Sequence, residues 1–314
     1  MILCFGLKNQ VLCQQDPQFS QYIFNQQFYN PATVNSENQP VVKLLHRSQY
    51  TGYVSNFDEG GGLNTQLLSV QIPLAKIRSG LGLVIINDQA GLEKNQQIKF
   101  SLARDIKIAK GALSIGISAG FYNKSYNDNF RPRETGDPNI PTGGISQIKP
   151  DFGIGVSYSN KYVFGGLGIN HINKPSFDFT VSSGNNLIDR NLNGIFGIQL
   201  NLNEKITVKP NILIRSDFQT SNFEGGLLFE FKNKYWLGTN YRKEDAVILM
   251  AGTSLLSNNA LKVGAAYDFV VDKTAIKSNS SFELMASYLI GKTKNNKQKN
   301  PPKVPVIRTP RYRF

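Results

Sequence analysis

Apolar residues recur at every second position along most of the chain. Leu113, Ile115, Ile117, Ala119 and Phe121 alternate with Ser114, Gly116, Ser118 and Gly120. The same rhythm runs through Phe152, Ile154, Val156 and Tyr158, through Phe196, Ile198, Leu200 and Leu202, and through Phe282, Leu284, Ala286, Tyr288 and Ile290. A period of two places the apolar set on one face of a strand and the small or polar set on the other. No stretch sustains a 3.6-residue period. The pattern predicts about fourteen strands, over 41–50, 63–74, 80–87, 97–106, 112–123, 150–159, 161–170, 191–203, 206–215, 222–232, 235–243, 246–255, 260–270 and 281–290. Most match the roughly 9–11 residues a tilted strand needs to cross a bilayer, and exceed the usual soluble strand of about 5–6.

The connections carry a second rhythm. Those at 51–62, 88–96, 124–149, 171–190, 216–221 and 271–280 are mostly long. Those at 75–79, 107–111, Asn160, 204–205, 233–234 and 256–259 are short. The tight Glu244-Asp245 connection is the exception on the long side. Long loops at one end and short turns at the other are the habit of outer-membrane barrels. A soluble sandwich or propeller would show shorter strands and no such alternation. The expectation is an all-β, antiparallel transmembrane β-barrel. An even strand count puts both termini on the same, periplasmic side.

Composition narrows this further. The longest apolar runs, such as Leu81–Ile86, are far shorter than the roughly 18 residues of a helical span. The two cysteines, Cys4 and Cys13, build neither a disulfide framework nor a zinc site. The net charge is +13, but eight basic residues and no acid follow Gly291, so the excess belongs to the tail. Residues 1–13 read as the remnant of an export signal whose start lies upstream. Residues 41–291 form the barrel.

Segments 14–40 and 292–314 fall outside the alternation. In the first, Phe19, Tyr22, Ile23, Phe24, Phe28 and Tyr29 fit one short amphipathic helix ending before Pro31. A free periplasmic arm has no need of six large apolar groups, so Phe19, Tyr22, Phe24, Phe28 and Tyr29 are expected to contact the lumen or its periplasmic mouth. A partner-binding arm is the other reading. The tail is basic and Pro-rich. Lys303, Arg308, Arg311, Tyr312 and Phe314 are candidates for docking on an acidic periplasmic partner, with charge setting the encounter rate. A merely solubilising tail remains open, and a periplasmic location argues against nucleic acid.

Chemistry is sparse. No P-loop, dinucleotide fingerprint or metal-binding helix motif occurs. His46 and His171 are the only histidines, and either would need a Ser or Asp partner to act in catalysis. The plainer reading is a lumen or rim histidine. No catalytic residue, cofactor or metal is expected. Asn87-Asp88-Gln89-Ala90-Gly91 and Asp137-Pro138-Asn139 read as turn chemistry.

Several motifs in order resemble one family. Gln14–Ala32 reads Gln-Gln-Asp-Pro-Gln-Phe-Ser-Gln-Tyr-Ile-Phe-Asn-Gln-Gln-Phe-Tyr-Asn-Pro-Ala. It resembles the mature N-terminus of PorP/SprF proteins, outer-membrane proteins of the type IX secretion system in Bacteroidetes. Arg47-Ser48-Gln49-Tyr50-x-Gly52 resembles a family motif in which Trp usually stands at the aromatic position. Gly80-Leu81-Gly82 with Asn87-Asp88-x-x-Gly91, Pro150–Val156, His171 and Arg308-Thr309-Pro310-Arg311-Tyr312-x-Phe314 are similar to further family segments. The clipped leader departs from the family. The resemblance implies a role in protein secretion across the outer membrane and, in some members, in gliding motility. It implies a non-catalytic scaffold whose partners are periplasmic ring lipoproteins of the secretion machinery or a large secreted adhesin, with outer-membrane lipid around it. A diffusion channel for small solutes is the alternative, because fourteen strands enclose a lumen wide enough to conduct unless filled.

Overall fold

The computed structural model describes residues 16–37, 39–51, 63–126, 144–179, 186–256, 259–271 and 280–291. Its strands in chain order are β1 Val41–Gln49, β2 Leu63–Leu74, β3 Ser79–Ala90, β4 Glu93–Ile108, β5 Gly111–Tyr126 and β6 Ile145–Ser159. Next come β7 Val163–Asn170, β8 Ser176–Phe177, β9 Asn186–Leu187, β10 Asn191–Ile198, β11 Leu200–Asn201 and β12 Ile206–Ser216. The last are β13 Ser221–Phe231, β14 Tyr235–Arg242, β15 Ala246–Leu255, β16 Leu261–Val270 and β17 Ser281–Leu289. Each neighbours the next in the wall, antiparallel throughout. The pair β8 and β9 forms a separate two-stranded ribbon. β10 and β11 are one wall strand interrupted at Gln199, and both pair with β12. With that join the wall has fourteen members. It closes where β1 meets β17, Val41 opposite Leu289 and Ser48 opposite Phe282. Closure removes every sheet edge, which is the condition for a sheet to sit in hydrocarbon.

The alternation sorts as the period of two requires. On β5, Ile117 is 56 % exposed whereas Ser118 is 8 % exposed. Leu44, Phe100, Phe121, Phe152, Leu237, Leu249 and Leu284 likewise stand outward, a lipid-facing apolar band. The inward phase is less uniform than the sequence suggests. Gly, Ser and Asn share it with Lys43, Arg47, Lys99, Glu224, Arg242 and Glu283, and with Leu45, Leu67, Val84, Trp236, Ile248 and Met285, all buried.

Some strands exceed their expected spans. The connection expected over 88–96 shrinks to Gly91 and Leu92, with Gly91 at φ +64°. Asn87–Ala90 and Glu93–Gln96 pair across the hairpin and are not turn residues. These positions are polar on both faces, so they carry no apolar period, yet cross-strand hydrogen bonds hold them, such as Thr65 Oγ1 to Asp88 Oδ1 (2.5 Å). β4 and β5 reach 16 residues each, about 50 Å of strand at ~3.3 Å per residue. β5 and β6 extend into the long connection after Lys124, leaving Asp137-Pro138-Asn139 outside the described residues.

Candidate functional site

The barrel lumen is occupied by the chain's own N-terminal segment. From Asp16 the backbone passes through a 3-10 turn Tyr22–Phe24, a four-residue helix α1 Gln26–Tyr29 and a second 3-10 turn Pro31–Asn35 before entering β1. One continuous amphipathic helix, expected from sequence, does not form. Asn25, at φ −119°, separates the first two elements. Asn30, extended, caps the third: its Oδ1 accepts from Ala32 N at 2.9 Å, and Pro31 follows it. The breaks have a packing cause. A single helical face would present all the aromatics to one wall, but here they reach opposite walls of an enclosing sheet.

Phe19, Tyr22, Phe28 and Tyr29 are buried, and Phe24 is half-buried. Phe19 meets Phe28 edge-on at 5.2 Å, and Phe28 meets Tyr29 at 4.8 Å. This group packs with Leu45, Leu67, Ile86, Ile195 and Leu213 from distant parts of the wall. Phe24 lies 4.8 Å from Trp236, the only tryptophan. Tyr22 donates to Asn211 Oδ1. The wall is thinned where the segment passes. A Cβ on Gly116 would lie 2.5 Å from Ala32 N, and one on Gly168 2.4 Å from Tyr29 O. The candidate tail residues Lys303, Arg308, Arg311, Tyr312 and Phe314 lie outside the described residues.

Two ionic clusters hold the segment. In the first, the Ser20 and Gln21 N–H groups donate to Glu283 Oε2 and Oε1 at 2.8 and 2.9 Å. Ser20 Oγ donates to Asp268 Oδ1 at 2.6 Å. Arg47 donates to Asp268 Oδ2 (2.7 Å), Ser20 Oγ (2.7 Å) and Glu283 Oε2 (3.4 Å). Arg242 spans Glu224 at 2.8 Å and Asp268 at 3.3 Å. Buried charges persist only when paired and hydrogen-bonded, and here the plug's Ser20 bonds four of the five side chains, all but Glu224.

In the second, His171 stands between two carboxylates. Its Nδ1 is 2.9 Å from Asp151 Oδ1, and its Nε2 is 3.0 Å from Asp16 Oδ2. Gln97 and Asn191 also donate to Asp16, and Arg215 donates to its carbonyl oxygen. Ionised carboxylates only accept, so both ring nitrogens carry hydrogen and the imidazole is charged. Burial opposes that charge, but Asp16, with the hydrogen bonds of Asp151 and Asp16, pushes the His171 pKa up to about 9. Burial would raise Asp16, but the His171 charge and hydrogen bond, with Lys99 and Arg215, hold it well below the usual carboxylate range. His171 lies in the loop after β7, and the sequence had offered it only as a lumen or rim histidine. Its role depended on Asp16, 155 positions away, which no local spacing could reveal.

Among the described residues no hydrogen bonds join either histidine to both a hydroxyl and a carboxylate. His171 touches two carboxylates and the edge of Tyr122. His46 faces outward, with Nε2 3.2 Å from Ser48 Oγ and its ring beside Phe282.

The loop after β7 folds over the long-loop end, where Phe177 and Ile188 cluster with Tyr122. At the short-hairpin end a cavity of about 460 Å³ is lined by Ile23, Phe24, Lys43, Lys209, Glu230 and Lys262, among others. The interior is thus packed toward the long loops and hollow toward the short hairpins.

The sequence model of the family described as "Type IX secretion system membrane protein PorP/SprF" matches residues 11–288. Comparison with curated proteins gave no match. Among solved structures, a FadL homologue of Pseudomonas aeruginosa is similar at 12% identity and TM-score 0.45, over 83% of this chain and 93% of its own. Acinetobacter baumannii Omp33, an outer membrane protein, is similar at 6% identity and TM-score 0.46, over 80% and 97%. The Pseudomonas putida toluene transporter TodX is similar at 10% identity and TM-score 0.47, over 82% and 90%.

Proposed function

Since the chain belongs to the PorP/SprF family of type IX secretion system membrane proteins, we propose that it is a plugged, non-catalytic scaffold of that system. The family is one of secretion-system membrane barrels and not an enzyme family, and the chain is an outer-membrane β-barrel. In the proposed orientation the long loops face outward, and the short hairpins and both termini face the periplasm. The scaffold holds periplasmic ring lipoproteins of the secretion machinery, or one large secreted adhesin, and so serves secretion or gliding. The basic tail, with Lys303, Arg308, Arg311, Tyr312 and Phe314, is its proposed docking arm.

One observation carries this reading: residues 16–36 fill the lumen, held by the buried Asp16–His171 ion pair and by hydrogen bonds from Ser20 and Gln21 to buried wall carboxylates. A filled lumen supports a role in holding partners over one in passing solutes. The test is a mild-detergent pull-down of the tagged full chain from native outer membranes, with mass spectrometry of what co-purifies. Ring lipoproteins would place it in the energised machine, and a single very large adhesin would make it a dedicated export or anchoring partner. Recovery of neither, together with steady single-channel conductance, would overturn the scaffold in favour of the diffusion channel.

A further inference from the structure

The lipid-facing side of β1–β6 carries a polar device that the plugged lumen does not use. Along one cross-strand row, His46 stands opposite Gln66, Gln66 opposite Asn87, Asn87 opposite Gln96, and Gln96 opposite Asn123. All five share the outward phase with Leu44, Leu68, Ile85, Ile98 and Phe121, two residues further along each strand toward the short hairpins. The row therefore marks where the apolar band ends on this part of the wall. Beyond it the outward positions are Ser48, Asn64, Gln89, Lys94 and Ser125.

The amides of the row form one directional chain. Ser146 Oγ donates to Asn123 Oδ1 at 2.7 Å, and Asn123 Nδ2 to Gln96 Oε1 at 3.2 Å. Gln96 Nε2 donates to Asn87 Oδ1 at 3.2 Å, and Asn87 Nδ2 to Gln66 Oε1 at 2.6 Å. The chain ends on Gln66 Nε2, a pair of N–H donors with no partner among the described residues. Aligned hydrogen bonds polarise one another, so the last donors of such a run are strengthened. His46 stands next to them. Ser48 Oγ gives its hydrogen to Asn64 Oδ1 at 2.8 Å, so His46 Nε2 donates to Ser48 and its Nδ1 edge is left open.

Directly beside these open groups lies an apolar groove of about 440 Å³ on the outer face of the wall. Leu44, Leu68, Ile85, Leu284 and Ala286 line it, and His46, Gln66 and Asn87 form its rim. In an outer-membrane barrel acyl chains cover the apolar part of this face, and the row at its edge lies at the level of the lipid head groups. The groove thus presents an apolar trough ending in the open Gln66 donors and the open His46 Nδ1 acceptor. Its complement is an amphipathic molecule with a chain on one side and, on the other, oxygens that accept together with one that carries a hydrogen.

We propose that this groove and its rim bind a phosphate-bearing lipid from the leaflet at the long-loop end. One acyl chain lies in the groove, a phosphate oxygen accepts from Gln66 Nε2, and the P–OH of the phosphate monoester donates to the open His46 Nδ1. A phosphate monoester suits the site because it offers several acceptor oxygens to the Gln66 donors and one P–OH donor to the His46 Nδ1. The site does not depend on the scaffold reading, and its failure leaves the pull-down outcome unchanged.

The experiment is native mass spectrometry of the full chain in mild detergent, titrated separately with three probes. These are dioleoyl phosphatidic acid, dioleoylglycerol as the phosphate-free lipid, and glycerol 3-phosphate as the chain-free head group. One equivalent of phosphatidic acid is expected to bind, with dioleoylglycerol about tenfold weaker and glycerol 3-phosphate silent at the same concentrations. Gln66→Leu and His46→Leu each weaken phosphatidic acid about tenfold and leave dioleoylglycerol unchanged. Leu68→Trp fills the groove and removes both lipids. Folding of each variant is read from its heat-modifiable gel migration. Should Gln66→Leu fail to fold, Gln66→Glu keeps the size, replaces the donors with acceptors and carries the same expectation. Equal binding of the two lipids, equal binding of glycerol 3-phosphate, or folded variants that bind as the unaltered chain does would each overturn the proposal.

Discussion

Replacing Asp16 by Asn tests whether the plug is held by its charge. Asp16 is the carboxylate on His171 Nε2, and it also accepts from Gln97 and Asn191. The substitution keeps the size of the side chain and leaves a buried imidazolium facing one carboxylate instead of two. Removing one partner of a buried ion pair costs roughly 3–5 kcal/mol. Linkage gives an independent scale. His171 moves from an ordinary value of 6.5 to about 9, and each unit corresponds to ~1.4 kcal/mol, so the charged ring contributes about 3 kcal/mol. Its pKa is raised on folding. The contribution is therefore complete below about pH 6.5 and is lost as pH rises through about 9. Asp16 is shifted the other way, so its share is present above the ordinary carboxylate range and fades only in strong acid. Trp236, packed on Phe24, reports docking through its fluorescence. For the unaltered chain in detergent, the Trp236 emission is expected to shift red between about pH 8 and 10 as the plug loosens. Asp16→Asn is expected to be shifted red already at pH 7 and to lose that alkaline step. A blue, pH-independent emission in both proteins would refute the ionic latch.

Other expectations follow from the same interior. Glu283→Gln leaves Arg47 short of one charge and weakens the grip on the Ser20 and Gln21 N–H groups; a loss of roughly 3 kcal/mol is expected in urea unfolding monitored at Trp236. Gly116→Val drives a side chain against the Ala32 backbone, costing about 1–3 kcal/mol and giving planar-bilayer conductance where the unaltered barrel gives little. Deleting residues 16–36 is expected to leave heat-modifiable barrel migration intact while opening a steady conductance. Truncation after Gly291 should leave thermal unfolding unchanged and reduce partner recovery in the pull-down, with the remaining recovery less sensitive to salt.

The wall was legible because its code is local. Period-two alternation needs only neighbouring residues, and the apolar phase at Ile115–Phe121 or Phe282–Ile290 has one outlet in a closed sheet. The strand ends were less legible. Asn87–Ala90 and Glu93–Gln96 stand beyond the apolar band, where both faces are polar and alternation falls silent. The aromatic content of the plug segment showed that it needed a partner surface, but its course depended on cross-chain pairs such as Ser20 with Glu283 and Asp16 with His171. The charged lumen residues were visible in retrospect only as Lys43, Arg47, Arg242 and Glu283 sitting in the inward phase of otherwise apolar strands. A charge there has to find a buried partner, and that is the signal a closer reading of the inward phase could have used.

The plug is the first described part of the chain, yet its Ser20 and Gln21 bond to Glu283, which lies 263 and 262 positions later. β17, which carries Glu283, is also the strand that closes the wall against β1. The segment, which precedes every strand, therefore completes its Ser20 and Gln21 contacts only when the last strand arrives, so closing the ring and completing the grip on the plug are a single late event. Contacts of such separation are slow to form. During assembly the open sheet must either keep its leading segment waiting beside β1 or admit it before the seam shuts. Once the seam is shut, the way out for residues 16–36 is through an end of the barrel. The short-hairpin end holds a cavity, whereas the loop cluster of Tyr122, Phe177 and Ile188 lies over the other.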